Sequence, residues 1–248
     1  IAYDPLTVDE SVEAATRLRV KSRNTEELDH RIDRVLDETG LGPISDRLVK
    51  VLSGGQKRRL GLAMELVSDP KILLCDEVTS GLDPRSEREI VRLLHDLSRK
   101  DGRIVLSVTH SLAHLELYDS ILVLHEGKVA FHGPPEQLNH YFSVNDTEEV
   151  YPRLTKQPSE RWQSSWNKHR DSYYKMLEKN RQRLIESGDL RASAVVSAKS
   201  DDDKSESEPN HIKETQLPGF FSQFATLLSR RWRIFFRDRG QVFLQLAI

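Results

Sequence analysis

The 248-residue sequence is short of cysteine, of net charge and of long apolar runs. Its one cysteine, Cys75, can form no internal disulfide and cannot build a cysteine metal cluster, so we expect a reducing compartment. The 37 Lys and Arg residues nearly balance the 39 Asp and Glu residues. A net charge of −2 argues against a dedicated nucleic-acid-binding protein, so no nucleic-acid partner is expected.

The two ends of the sequence predict a longer parent protein. The first residue is Ile1, and no signal peptide follows it. Residues 242–248 are mostly apolar, but a membrane-spanning helix needs roughly 20 such residues. We interpret this stretch as the start of a longer span, and we expect the chain to be a fragment that is incomplete at both ends.

Residues 1–142 alternate helical and strand-like patterns, which predicts an α/β domain with a parallel sheet. Helices are predicted at residues 26–39, 60–67 and 86–100, and short buried strands at residues 71–75 and 103–108. Two further strands, at residues 120–125 and 128–132, flank Glu126-Gly127, a dipeptide that indicates a hairpin turn.

Residues 143–216 form a second segment, for which we predict a polar helix at residues 159–186 and a flexible, Ser- and acid-rich linker at residues 187–216. The helix has an apolar stripe made of Trp162, Trp166, Tyr173, Leu177 and Leu184. Such a stripe indicates packing on the preceding domain, or else contact with a partner or with a membrane surface.

Residues 217–248 form a third segment, in which an apolar face lies beside a cluster of arginines. The apolar positions are Phe220, Phe224, Leu227, Leu228 and Phe235, and the basic positions are Arg230, Arg231, Arg233, Arg237 and Arg239. This combination predicts a helix at the cytoplasmic surface of a membrane, just before a span.

Residues 52–56 are the first candidate site. Two adjacent glycines, Gly54 and Gly55, allow close approach of the backbone to a ligand, and Ser53 and Gln56 lie on either side of them. A hydroxyl and a row of backbone N–H groups at a helix N-terminus can bind phosphate. The alternative is an ordinary serine N-cap.

Residues 72–77 are the second candidate site. An apolar strand ends in Asp76 and Glu77, which places two carboxylates at the carboxyl edge of a sheet, where open α/β sheets bind ligands. Asp76 is a candidate Mg²⁺ ligand, and Glu77 is a candidate general base for an attacking water. The alternative is a solvated strand end.

Two further candidates follow in the chain. Asp83 precedes Pro84 in a tight turn directly after the carboxylates, where it could also simply cap the next helix. His110 lies two residues beyond a predicted strand, a place where a histidine is often structural. His110 and His114 have the spacing of a metal-binding pair, but no third ligand is evident.

The order and spacing of these motifs resemble the ATP-binding cassette (ABC) family over residues 4–142. Residues 52–56 match its signature motif, residues 72–77 its Walker B strand, residues 80–83 its D-loop and His110 its switch histidine. The order of cassette, linker and membrane-entry helix resembles the G subfamily and its bacterial relatives. The resemblance implies the C-terminal portion of a P-loop NTPase cassette with a parallel sheet and a helical signature subdomain.

The resemblance also implies an ATP-hydrolysing transporter motor that uses Mg²⁺. In this family two cassettes pack head to tail around two ATP molecules. Asp76, Glu77 and His110 would serve one ATP, with Asp76 as the metal ligand. The residues expected to serve the other nucleotide are Ser53, Gly54, Gly55 and Gln56, with Asp83 coupling the two sites. The implied partners are a second cassette and a transmembrane domain, with the cassette on the cytoplasmic face of a membrane, as in a bacterial inner membrane.

The sequence departs from the family pattern in three ways. It contains no G-x-x-x-x-G-K-[ST] loop (Walker A), no Q-loop glutamine, and Val78 stands where the family usually has proline. We therefore expect the 248-residue chain alone to be inactive. Two alternatives are a soluble ABC-type ATPase of DNA maintenance and a non-catalytic regulatory cassette. The absence of long coiled coils counts against the first, and the presence of Glu77 and His110 counts against the second.

Overall fold

The structure is a computed structural model that describes residues 3–22, 24–100, 102–189 and 217–237. It is a mixed α/β fold with a small parallel sheet and many helices, which confirms the predicted fold class. The described residues fall into two compact units. Unit 1 holds those within Ile1–Lys71, Gly81–Ile90 and Ser197–Ile248, and unit 2 holds those within Ile72–Ser80 and Val91–Val196.

The described helices and strands agree closely with the predicted ones, except that α1, α5 and α6 in the list below were not predicted. The helices are α1 (Val8–Arg19), α2 (Thr25–Glu38), α3 (Gly54–Leu66), α4 (Pro84–Lys100), α5 (Leu138–Phe142), α6 (Val150–Leu154), α7 (Ser159–Glu186) and α8 (Phe220–Arg237). The strands are β1 (Ile72–Asp76), β2 (Ile104–Val108), β3 (Ile121–His125) and β4 (Lys128–Gly133). The helix predicted at residues 60–67 is the later part of α3, which begins at Gly54.

Unit 1 is built on α1, α2 and α3, which pack on one another. Thr7 and Glu10 form a capping box at the start of α1, in which each side chain accepts the backbone N–H of the other residue. Helix α2 ends before Gly40, whose φ of +68° is a left-handed conformation that glycine adopts without strain. The buried apolar residues of the three helices include Val12, Ile32, Val35, Leu60 and Leu66.

Helix α8 packs on α1 within unit 1 and is joined to it by ion pairs. Arg237 donates to the Glu10 carboxylate through its two terminal guanidinium nitrogens, at 2.5 and 2.9 Å, and Arg233 donates to Glu13 at 3.1 Å. Burial raises the pKa of Glu10, but hydrogen bonds from the Thr7 N–H and from Arg237 outweigh burial and leave this pKa below its usual value. The contact therefore depends on charge more than on apolar packing.

The aromatic side chains of α8 remain largely exposed, among them Phe220, Phe221, Phe224 and Trp232. The prediction of a helix in this segment is confirmed, although its place at a membrane surface stays a prediction. No helix among the described residues is both long enough and apolar enough to cross a membrane.

Unit 2 contains two small sheets. Strands β1 and β2 run parallel, with Ile72 opposite Ile104 and Asp76 opposite Val108. Strands β3 and β4 form an antiparallel hairpin. Glu126 and Gly127 at its turn both have positive φ, 49° and 75°, as a type I′ turn requires.

The prediction that β1 and β2 are buried strands is wrong for one face of the parallel sheet. Leu73 and Cys75 are buried, whereas Ile72 is 58% and Leu74 is 71% exposed. Successive side chains of a strand point to opposite faces, and among the described residues only one of those faces is covered. Burial raises the pKa of the Cys75 thiol to about 11, so the thiol stays protonated at neutral pH.

An aromatic cluster forms the core of the rest of unit 2. It consists of Ala130, Phe131, Leu138, Phe142, Val150, Leu154, Trp162 and Trp166. Helix α7 packs along β4 and contributes both tryptophans to this cluster. The first part of the stripe, Trp162, Trp166 and Tyr173, therefore packs on this cluster, in agreement with the first of its two interpretations.

The predicted segment boundaries at residues 142 and 216 stay predictions. Most of the predicted linker, residues 190–216, lies outside the described residues. The predicted start of a span at residues 242–248 and Arg239 also lie outside them.

Candidate functional site

Ser53 begins helix α3 in unit 1. Its Oγ accepts the Gln56 N–H at 3.2 Å, and the Gln56 Oε1 accepts the Ser53 N–H at 3.0 Å, so the two residues form a capping box. The alternative interpretation of Ser53 as an N-cap is thereby confirmed. It does not exclude ligand binding, because Ser53 and Gly54 are exposed and the hydroxyl can still donate its proton.

Both glycines of this turn lie against the segment that follows the carboxylates. A Cβ on Gly54 would come within 3.3 Å of the Leu82 side chain, and one on Gly55 within 3.2 Å of the Ser86 side chain. Any side chain at these positions would therefore push on its neighbour. Because Gly54 and Gly55 have no side chain, the backbone at the start of α3 can lie close to residues 82–86.

Asp83 caps helix α4. Its Oδ1 accepts the N–H groups of Arg85 at 3.1 Å and of Ser86 at 3.0 Å. Hydrogen bonds from the Ser86 side chain and backbone hold the pKa of Asp83 below its usual value. The capping role anticipated for Asp83 is confirmed, and the coupling role implied by the family resemblance stays a prediction.

Asp76 and Glu77 lie in unit 2, where β1 ends. Both residues are exposed at the carboxyl end of the parallel sheet. The Glu77 N–H donates to the Val108 carbonyl at 2.8 Å, which extends the pairing of β1 with β2 by one residue. Glu77 has a φ of 46°, a left-handed conformation that is uncommon for residues other than glycine and is concentrated at functional sites.

His110 is brought next to Glu77. The distance from its Nδ1 to the Glu77 Oε1 is 3.5 Å, and the two side chains are 69% and 54% exposed, respectively. Two chain segments meet here, because Glu77 directly follows β1 and His110 lies two residues beyond β2. The structure thus places the two predicted residues side by side, and their joint action stays a prediction.

The possible His110–His114 metal pair gains no support. His114 lies near Glu116, with 3.9 Å between its Nδ1 and the Glu116 Oε1. Within the described parts of the chain, no group of three His, Cys, Asp or Glu side chains could hold a metal ion. Asp76 alone fits the way Mg²⁺ is usually held, by one or two carboxylates together with substrate phosphates.

The exposed Glu77–His110 pair can act on a ligand that arrives at the sheet edge. A carboxylate at this place can accept a proton from a water molecule, and an imidazole beside it can donate a hydrogen bond to an anion. The turn at Ser53 can supply backbone N–H groups and a hydroxyl to a second anion. The turn at Ser53 lies in unit 1 and the Glu77–His110 pair lies in unit 2, and the contacts described for each are made within its own unit.

Sequence reasoning missed two contacts near these residues. The Tyr151 hydroxyl donates to the His110 carbonyl at 3.1 Å, across 41 residues of sequence. Arg59 donates to the Thr39 carbonyl at 3.0 Å and to the Glu89 carboxylate at 3.2 Å, which joins α3 to α2 and α4 within unit 1. Neither contact has a local sequence signal, because each joins residues that are far apart in the chain.

Comparison with known proteins identifies relatives. Residues 5–80 match the family described as ABC transporter. The chain is 30% identical over 249 residues to the ABC transporter ATP-binding/permease protein Rv1747 of Mycobacterium tuberculosis. The aligned residues make up 99% of this chain and 25% of that protein. The chain is 36% identical over 151 residues to the broad substrate specificity ATP-binding cassette transporter ABCG2 of Rattus norvegicus, covering 58% and 23%.

A third relative is the probable multidrug ABC transporter ATP-binding protein YbhF of Escherichia coli. It is 39% identical over 136 residues, which cover 55% of this chain and 23% of that protein. The chain thus spans about a quarter of the length of these relatives.

Proposed function

Because this chain belongs to the ABC transporter family, as an ATP-binding cassette domain homologous to those of ABCG2 and of bacterial transporters, we propose that it is the ATP-hydrolysing part of a transporter. The observation that carries this proposal is the pairing of Glu77 with His110 at the carboxyl end of the parallel sheet. A base and a hydrogen-bond donor that meet at such an edge are suited to the hydrolysis of a bound phosphoanhydride.

In this proposal Glu77 accepts a proton from the water that attacks the terminal phosphate of ATP. The His110 imidazole donates a hydrogen bond to the negative charge that develops on that phosphate. Asp76, one residue earlier at the end of β1, would hold Mg²⁺, which neutralises phosphate charge when bound. The left-handed backbone at Glu77 turns the chain directly after the strand and leaves both carboxylates exposed.

The turn at Ser53 would serve a different ATP molecule, held by a second cassette. The N-terminus of α3 would offer the hydroxyl of exposed Ser53 and the N–H groups of exposed Gly54 and buried Gly55, with Gln56 closing the turn. Asp83 lies at the start of α4, near the same glycines, and would couple the two sites. The phosphate-binding loop of each site would come from a part of the protein outside these 248 residues.

Coupling to transport would pass through α1 and α8. The two helices are joined by the ion pairs of Arg237 with Glu10 and of Arg233 with Glu13. Closure of a cassette dimer on ATP would move α1 and, through these contacts, α8 and a transmembrane domain. The cassette would then lie on the cytoplasmic face of a membrane, with the exposed aromatic side of α8 towards the lipid surface.

The test is Glu77→Gln in the longer protein that carries these residues together with a phosphate-binding loop. We expect Mg²⁺-dependent ATP hydrolysis to fall by about 100-fold or more, because loss of a general base typically costs a factor of 10²–10⁴. ATP binding, measured by equilibrium titration, should be retained, because the substitution keeps the size and shape of the side chain.

Glu178→Gln is the matched control, since Glu178 lies on α7 and pairs only with nearby Arg181 among the contacts described here. This variant should hydrolyse ATP at the unmutated rate. An unchanged rate in Glu77→Gln would rule out the proposed function.

A further inference from the structure

Tyr151 lies outside every motif that the function uses, yet it contacts the residue beside the proposed base. It belongs to the short helix α6, beyond the hairpin of β3 and β4. Its hydroxyl donates to the backbone carbonyl of His110 at 3.1 Å. Tyr151 and His110 both belong to unit 2, so this contact lies within one compact body.

The position of Tyr151 is set by the aromatic cluster of unit 2. Its neighbours Val150 and Leu154 are almost completely buried in that cluster. The Leu154 carbonyl also accepts the indole N–H of Trp162 at 3.1 Å. Helix α6 is therefore fixed on both sides of Tyr151, and the place of the hydroxyl follows from a packed core.

The Tyr151 hydroxyl remains a donor under physiological conditions. Burial raises the pKa of Tyr151 above its usual value, so the phenol stays protonated well above neutral pH. The residue is 44% exposed, which is unusual for one that serves only to fill a core. Its polar end thus accounts for its orientation better than its apolar surface does.

The segment that carries His110 is held at several points. Before it, the Val108 carbonyl accepts the Glu77 N–H at 2.8 Å. After it, Leu112 and Leu115 pack on the same aromatic cluster that fixes α6. Between these anchors the His110 side chain is largely exposed, so its direction depends on its backbone, and the backbone contact made at His110 itself comes from Tyr151.

We propose that Tyr151 is a positioning residue for His110: its hydroxyl holds the His110 carbonyl so that the imidazole faces Glu77. This inference rests on the proposed function, because the effect of Tyr151 is transmitted through the role of His110 in ATP hydrolysis. If Tyr151 positions His110, then residues 150–166, which follow the hairpin and hold Tyr151 in place, also influence the rate of ATP hydrolysis.

Tyr151→Phe removes the hydroxyl and keeps the ring, so the fold should be preserved. In the longer protein, we expect kcat for ATP hydrolysis to fall by about three- to tenfold, the range that corresponds to one ordinary hydrogen bond. KM for ATP should stay within about twofold, because a contact that orients His110 matters mainly once charge develops on the phosphate. Tyr174→Phe is the matched control, as Tyr174 is also 44% exposed but contacts His132.

A double-mutant cycle separates positioning from general structural support. If Tyr151 acts through His110, Tyr151→Phe has no further effect on kcat in a His110→Ala background. Equal reductions in both backgrounds would show that Tyr151 supports the fold in general, which overturns the proposal.

A spectroscopic arm tests the contact independently of hydrolysis. In the 248-residue chain, the ¹³C carbonyl resonance of His110 should shift in Tyr151→Phe and stay unchanged in Tyr174→Phe. An unchanged resonance in Tyr151→Phe overturns the proposal. If kcat is unchanged in Tyr151→Phe while Glu77→Gln is inactive, the positioning role of Tyr151 is wrong and the proposed function stands. If Glu77→Gln is active, the proposed function itself is wrong.

Discussion

The turn at Ser53 is held by residues next to it in the chain, whereas the loop at His110 is held by residues far from it. Ser53 exchanges hydrogen bonds with Gln56, three residues away. His110 is fixed by Glu77, which follows a different strand, and by Tyr151, which is 41 residues away. The hydrogen bonds of the first site are therefore made within one helix end, whereas the contacts of the second site join distant parts of a folded unit.

The two sites also offer different chemistry. The turn at Ser53 presents mainly backbone N–H groups, whose position is fixed once α3 has formed. The pair of Glu77 and His110 presents side chains that are more than half exposed. A binding element built from backbone suits a fixed phosphate contact, whereas a carboxylate beside an imidazole suits a step in which a proton moves.

The largest expected effect concerns the support of the His110 loop. Trp162→Ala should lower the free energy of unfolding by about 3–5 kcal/mol, the range for truncating a buried aromatic residue. Trp232→Ala on the exposed side of α8 is the control, and its effect should stay within about 0.5 kcal/mol. Urea denaturation followed by circular dichroism measures both.

The same variant sharpens the comparison of the two sites. Amide hydrogen exchange around His110 should accelerate in Trp162→Ala, because the aromatic cluster holds that loop, while the Gln56 amide should keep its rate. Acceleration at Gln56 equal to that at His110 would contradict the local origin of the turn at Ser53.

A smaller effect is expected along β1, the strand that ends at Asp76. Leu73→Ala should cost about 2–5 kcal/mol because Leu73 is buried, whereas Leu74→Ala should change stability by less than about 0.5 kcal/mol because Leu74 is exposed. Urea denaturation of the 248-residue chain compares the two variants. Equal costs for both leucines would mean that both faces of the strand are covered in solution.

The smallest effect concerns the glycines of α3. A Cβ on Gly61 would meet no atom within 4 Å, so Gly61→Ala should raise stability by about 0.5–1 kcal/mol through its helix propensity. Gly55→Ala should lack this gain, because its new methyl group would lie 3.2 Å from Ser86. Thermal denaturation of the two variants gives the difference. Equal stabilisation at both positions would show that the turn at Ser53 has room for a methyl group at Gly55.

The local parts of both sites could be predicted from the sequence. A serine and a glutamine three residues apart are enough to predict the start of α3, and the sequence pattern also gives the bounds of α7. The hairpin turn follows from the two strand patterns that flank it and from Gly127, which adopts a positive φ without strain. In each case the determining contacts lie within a few residues.

The remaining features depend on contacts that no local pattern records. Burial of β1 was predicted on both faces because Ile72 and Leu74 are as apolar as Leu73, but burial is decided by what lies over each face. The contact of Tyr151 with His110 depends on how α6 is placed by the aromatic cluster. The left-handed conformation of Glu77 is likewise a result of the turn away from the sheet and not of its residue type.

The state of Cys75 gives the chain a practical property. It is the one thiol in the sequence, it is buried, and with a pKa of about 11 it carries almost no thiolate at neutral pH. Maleimide dyes and spin labels should therefore leave it unmodified in the folded chain. A new cysteine at an exposed position in each unit could be labelled without replacing Cys75, and the distance between the two labels would then measure how the two units are arranged in solution.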